Sequence, residues 1–250
     1  MLKLFKPGLL SFLYLVTFTV VAQNISVLDS VSKPLPFEPE SFDFIPKSYP
    51  LSDEDYIATL EVTINAESEA NLVAIFDAVW QKANDLGANA YRFEGIYRFQ
   101  DKDRMIVELS VHQVSDAEFH NMLDYYRSNM VYVIGSLNPR NSPRKMKLND
   151  QKLLLPARQY LASQNEVGEE VSISIGGFLG AKVWVKGREN RPPSHYALEG
   201  FAAGPGVDYN LNIGVSFNTG RIYPIELNLG QFLVTLLTQK VVPQPEGVND

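Results

Sequence analysis

The chain contains no cysteine. That absence excludes disulfides, thiolate nucleophiles, cysteine-ligated metals and a lipid-anchored N-terminus of the bacterial lipoprotein type. Histidine is scarce, with His112, His120 and His195 the full set. No two of them have helical or loop ligand spacing, so no metal or other cofactor is expected. The rings are expected to face solvent or to make local hydrogen bonds. Positive charge is in deficit, 22 Lys+Arg against 29 Asp+Glu. This argues against nucleic acid as a partner, because phosphate binding needs clustered cations. Beyond the first two dozen residues no apolar run approaches the roughly 20 residues that span a bilayer.

What is present at the N-terminus is a basic head, Lys3 and Lys6, followed by the apolar run Leu9 to Ala22. A charged head, a short apolar stretch and small residues at a cut site form the pattern of a removable signal peptide. Val20 and Ala22 fit the third and first positions before cleavage, so residues 1–22 are expected to be removed. The expectation is an exported protein: periplasmic, on the outer surface or secreted, with no transmembrane helix after cleavage. Residues 23–55 carry Pro34, Pro36, Pro39, Pro46 and Pro50 among Phe37, Phe42 and Phe44. Proline at this density predicts an extended leader rather than helix or central strand.

Residues 56–138 have clear periodicity. Ile57 to Ile64 alternates as a half-buried strand. Leu72, Ile75, Phe76, Val79, Ala83 and Leu86 then step by three and four along one helical stripe, stopped by Gly87. Ala90 to Phe99 alternates, with Tyr91, Phe93, Tyr97 and Phe99 on one side and Arg92, Glu94 and Arg98 on the other. Met105 to Val114 alternates again. Ser115-Asp116-Ala117-Glu118 is a capping box opening a helix expected to run through Met130. Val131 to Leu137 completes the series. The order β-α-β-β-α-β predicts a ferredoxin-like domain, a four-stranded antiparallel sheet with both helices on one face. Its open face would carry Arg92, Glu94, Arg98, Glu108 and His112. The string Lys82-Ala83-Asn84-Asp85-Leu86-Gly87-Ala88-Asn89-Ala90 resembles the helix-to-strand junction of small α+β domains in bacterial envelope proteins. The resemblance implies no activity.

Residues 139–152 are expected to be a basic linker holding Arg140, Arg144, Lys145, Lys147 and Lys152. Residues 153–242 predict an all-β sandwich or small barrel, with strands near Arg158–Ala162, Val171–Ile175, Ala181–Lys186, Tyr196–Phe201, Asn210–Phe217 and Ile222–Leu229. Residues 210–229 are expected to form a hairpin around Asn218-Thr219-Gly220. Phe232 to Val242 fits a closing strand or a short helix, and residues 243–250 a tail. The fold class is therefore α+β, a ferredoxin-like domain followed by an all-β domain.

Catalytic patterns are weak. Gly214-Val215-Ser216-Phe217-Asn218 lacks the second glycine of a nucleophile elbow. Glu169, Glu170 and Glu199 would support a hydrolase only if two of them converged in a cleft. The sequence favours a non-catalytic interaction or binding module over a carrier of an apolar or amphipathic ligand in the β domain, and both over a carboxylate hydrolase. The candidate contact residues are Trp184 with Lys182 and Lys186, expected to face outward on one strand, and Arg144, Lys145 and Lys147 of the basic cluster. An aromatic among lysines suits an envelope protein or polymer, or an anionic lipid surface.

Overall fold

The computed structural model describes residues 24–31, 41–65, 71–99, 104–176, 180–198 and 222–240. The expected signal peptide, the C-terminal tail, most of the 210–229 hairpin and Glu199 lie outside these residues. The described chain is a mostly-β α+β fold of three sheets and few helices.

Sheet I contains β1 (Asn24–Ser30), β2 (Asp43–Phe44), β3 (Tyr56–Asn65), β4 (Ala90–Phe99) and β5 (Arg104–His112), in the spatial order β1-β3-β5-β4-β2. Helix α1 (Leu72–Asp85) connects β3 to β4, with β5 paired antiparallel between them, so one split β-α-β unit is present. Asn71 caps α1 by accepting from the Ala74 amide at 3.3 Å. At its other end the Ala88 amide donates to Ala83 and that of Gly87 to Asn84, with Gly87 at φ 90°. This double bond pattern needs a left-handed residue, which glycine supplies without a Cβ clash.

The second expected unit does not form. The capping box closes, Ser115 Oγ accepting from the Glu118 amide while the Ser115 amide donates to the Glu118 carboxylate. Helix α2, however, covers only Asp116–Met122 and gives way to a 3-10 turn. The next strand, β6 (Met130–Ile134), joins a different sheet. Its place beside β3 is taken by β1, from the segment expected to be an extended leader. The leader also supplies β2, and it buries Phe42 and Ile45. Proline density there limits strand length but does not prevent two short edge strands.

The alternation of β4 also breaks. Its pairing with β5 slips between Phe93 and Gly95, a β-bulge that reverses the facing of every later residue. Tyr91 and Phe93 face the core, but after the bulge Ile96 packs inward, and Arg98 donates to the Leu236 carbonyl at 2.8 Å. Tyr97 and Phe99 turn outward, 48% and 36% exposed, and Tyr97 donates to Glu108. Arg98 is thus not on the open face.

Sheet II has the order β13-β12-β6-β9-β14, built from β9 (Gln159–Gln164), β12 (Ser194–Ala197), β13 (Tyr223–Ile225) and β14 (Thr238–Gln239) with β6. Sheet III is β7 (Arg144–Leu148), β8 (Gln151–Leu155), β10 (Glu170–Ile175) and β11 (Ala181–Lys186), ordered β11-β10-β7-β8. Alternate residues of sheet II serve two cores. Val131, Val133, Leu161 and Tyr196 join Met146, Leu148, Ile173 and Val183 of sheet III. Ile134, Ala197 and Ile225 face the other way, into the core of sheet I.

Between sheets I and II lies α3 (Leu227–Leu236), so the segment expected to be all-β carries a helix that replaces the end of the strand expected at Ile222–Leu229; Thr238–Gln239 then forms β14. Phe232 packs on Phe76, Tyr91 and Phe93, while Gly230 meets His195 of β12. One apolar core therefore takes residues from both sides of the 139–152 segment.

A buried polar knot fixes α3 to the N-terminal strands. Asn228 accepts from the Phe44 amide at 2.9 Å and donates to Asp43 Oδ1 at 2.9 Å, and its carbonyl accepts from the Tyr91 hydroxyl at 2.6 Å. Ser41 donates to the other Asp43 oxygen. Burial raises the Asp43 pKa despite these bonds. Asn228→Ala would strip a donor from a desolvated carboxyl and an acceptor from the Phe44 amide. The expected loss is about 2–3 kcal/mol of unfolding free energy, measured by urea denaturation.

Candidate functional site

The basic segment expected to be a linker is the hairpin β7–β8. Asn149 and Asp150 both have positive φ, 48° and 63°. These conformations make a two-residue turn whose twist matches the flanking strands. Asn and Asp tolerate them better than other non-glycine residues. The turn is also tied to β10, with the Asn149 amide donating to the Ser172 carbonyl and the Ser172 amide to Asn149 Oδ1, both at 2.9 Å. Met146 and Leu148 enter the core, so Lys145 and Lys147 project from the opposite face.

The same parity holds on the neighbouring strands. Val171, Ile173 and Ile175 on β10 and Ala181, Val183 and Val185 on β11 are buried. Ser172 and Ser174, and Lys182, Trp184 and Lys186, therefore occupy the outer face. The register aligns Lys182 with Ser174, Ser174 with Lys147, and Lys147 with Lys152. Strands lie roughly 4.8 Å apart, so three lysines share one row about 15 Å long. Trp184 pairs with Ser172 in the adjacent row, and Lys145 pairs with Leu154. Trp184 is 47% exposed and Leu154 46%.

Lys182 Nζ sits 5.1 Å from the Trp184 ring centroid and 3.9 Å from Asp150 Oδ1. Lys145, Lys147, Lys152, Leu154, Ser174 and Gly176 border an open depression of about 630 Å³. Of the six candidate contact residues, five thus share one face. Arg144 does not, because β7 places it on the Met146 parity, opposite buried Leu155. Lys152, Leu154 and the central serines join that face through the Asn149-Asp150 turn, which makes a hairpin of what composition presents as a linker.

The face of sheet I opposite its core holds a second polar group, and it is not open throughout: Ser110 and His112, the latter expected on an open face, are buried. Ser110 Oγ lies 2.5 Å from Glu94 Oε1 and 2.9 Å from His112 Nε2, and Arg92 Nε donates to Glu94 at 2.8 Å. Burial opposes ionisation of Glu94, but the Ser110 and Arg92 hydrogen bonds outweigh it and hold the pKa below the usual value. A nucleophilic triad needs the histidine between serine and carboxylate. Here the serine is in the middle, giving its proton to Glu94 and accepting from His112. The imidazole therefore does not act as a base towards Ser110.

The remaining titratable candidates stay apart. Glu169 and Glu170 are exposed at the start of β10. His120 is exposed, with Nδ1 2.7 Å from the Asp116 carbonyl oxygen. His195 departs from the expected solvent-facing or hydrogen-bonded histidine. It is buried on β12 with neither ring nitrogen hydrogen-bonded, stacked on Tyr132 at 5.0 Å and 7°. Burial pushes its pKa down to about 3. Among the described residues no group of three or more His, Asp or Glu is placed to hold a metal ion. Nor, among them, is any helix long and apolar enough to cross a membrane.

No known protein family, no curated protein and no solved structure matches the chain.

Proposed function

We propose that the protein is an exported, non-catalytic interaction module that uses the outer face of sheet III to hold an anionic partner of the cell envelope. The reading rests on one observation: Lys182, Lys147 and Lys152 form one row, with Lys145, Lys186 and an exposed tryptophan on the same face, in a chain whose net charge is −7. Glu170 opposite Lys186 and Asp150 near Lys182 offset part of the lysines' charge. Dispersed lysines on an acidic protein keep it soluble, whereas a single-sign row concentrates a local field against the global charge. Export is supported by the signal-peptide pattern of residues 1–22. A non-catalytic role is supported by the serine-centred order of Glu94, Ser110 and His112. Against the carrier alternative, the described side chains of sheets II and III pack on one another as one apolar cluster.

Net charge alone would exclude this protein from a sulfate-bearing matrix at neutral pH. The basic face should nevertheless retain it at low salt, and the double variant Lys147→Glu/Lys152→Glu should run in the void volume with unchanged circular dichroism. Wild-type protein that is not retained would overturn the reading.

A further inference from the structure

We infer that the anionic partner held by the outer face of sheet III is a lipid bilayer surface. The inference rests on that face being the contact surface, and deepens the proposal by naming what it touches.

The first argument is the choice of cation. Every outward-facing cation of the face is lysine: Lys145, Lys147, Lys152, Lys182 and Lys186. Arginine forks onto individual phosphates and carboxylates with paired, planar hydrogen bonds, and is the residue of choice where one discrete anion is recognised. Lysine is a point charge on a flexible stem. It suits a diffuse field of headgroups, where no single anion has a fixed position.

The second argument is the position of the apolar side chains. Trp184 stands on β11 and Leu154 on β8, the two edge strands of sheet III, so the lysine row runs between two exposed apolar groups. Tryptophan is favoured at the level of lipid headgroups, and lysine stems lie along an apolar surface while their ammonium groups reach the polar layer. The third argument is relief. The central outward positions on β10 are Ser172 and Ser174, short side chains that leave the middle of the face low. The acidic remainder of the protein is repelled by an anionic bilayer surface, which orients the molecule with sheet III inward.

The test is sedimentation of the chain lacking residues 1–22 with vesicles of phosphatidylcholine alone or mixed with phosphatidylglycerol, alongside binding to soluble dextran sulfate. The expected result is binding to the anionic vesicles only, weakened by salt. Lys147→Glu/Lys152→Glu should reduce it at least about tenfold, since each lysine near a charged membrane contributes roughly fivefold and two are lost. A blue shift of tryptophan emission should accompany binding and vanish in Trp184→Phe. Binding to dextran sulfate without binding to anionic vesicles would overturn the lipid inference and leave the basic-face proposal standing. Binding to neither would overturn both. Vesicle binding that survives both variants would overturn the assignment of this face.

Discussion

Phe232→Ala should lower the unfolding free energy by about 3–5 kcal/mol, the range for removing a large buried aromatic ring. Phe232 is 1% exposed, and its ring centroid lies 5.2 Å from that of Phe76, 5.6 Å from Phe93 and 6.1 Å from Tyr91. Those partners belong to α1 and β4, so the truncation opens a void between the last helix and the first sheet. The loss should also be global. Urea transitions followed by far-ultraviolet circular dichroism, by Trp80 on α1 and by Trp184 on sheet III should coincide and move together. A Trp80 transition that moved while the Trp184 transition stayed in place would show two independently folding units and refute the shared core.

Acid should destabilise the protein through His195. An ordinary histidine titrates near 6.5, and burial holds this one at about 3. A depressed folded-state pKa means that the contribution is fully present above pH 6.5. It is lost as pH falls towards 3, because the unfolded chain takes up the proton first. The window corresponds to roughly 4–5 kcal/mol. His195→Leu should remove this acid limb and leave neutral-pH stability equal or higher, since it replaces two buried nitrogens that make no hydrogen bond.

The readout is the difference in urea-derived stability between wild type and variant from pH 7 to pH 3.5. Subtraction matters, because burial raises the pKa values of Asp43 and Glu226. Carboxyls shifted that way favour the fold as pH falls and partly mask the histidine in the wild type alone. A pH-independent difference would show that His195 is solvated or paired in solution.

Local signals in the sequence carried local structure faithfully. The Leu72 to Ala83 stripe, the Gly87 stop, the Ser115 capping box and the alternation of β10 and β11 all depend on neighbours a few residues away. The failures arise where distant segments compete. β6 has the β-branched composition of a fourth strand for sheet I, yet β1 takes that position and β6 pairs with β9 and β12. No periodicity distinguishes those alternatives. The bulge at Glu94 is hidden for a different reason, since a single extra residue inverts the facing of everything after it.

Part of the candidate site was legible for the same reason. Lys182, Trp184 and Lys186 follow from alternation on one strand. Their alignment with Lys147 and Lys152 is a matter of register between strands, and no single segment encodes that. The strand expected at Tyr196–Phe201 starts one residue after His195, so no alternation placed the imidazole. That its outer side would be covered by α3 depends on Gly230, where an added Cβ would lie 2.3 Å from the imidazole.

The lodging of α3 against sheet I bears on how the chain can be made. A polypeptide emerging N-terminus first presents β1 to β5 long before Phe232 exists to cover Tyr91 and Phe93. Until the final segment arrives, that half of the molecule has an uncovered aromatic surface and no route to its finished state. Folding dominated by such distant contacts is slow, because loop closure must precede the contacts that reward it. Were the protein threaded through a membrane channel, as the export proposed above requires, this delay would be useful: the chain would stay pliable during transit and acquire its shape only once residues 227–236 are through. The same delay leaves it dependent on protection from aggregation until then.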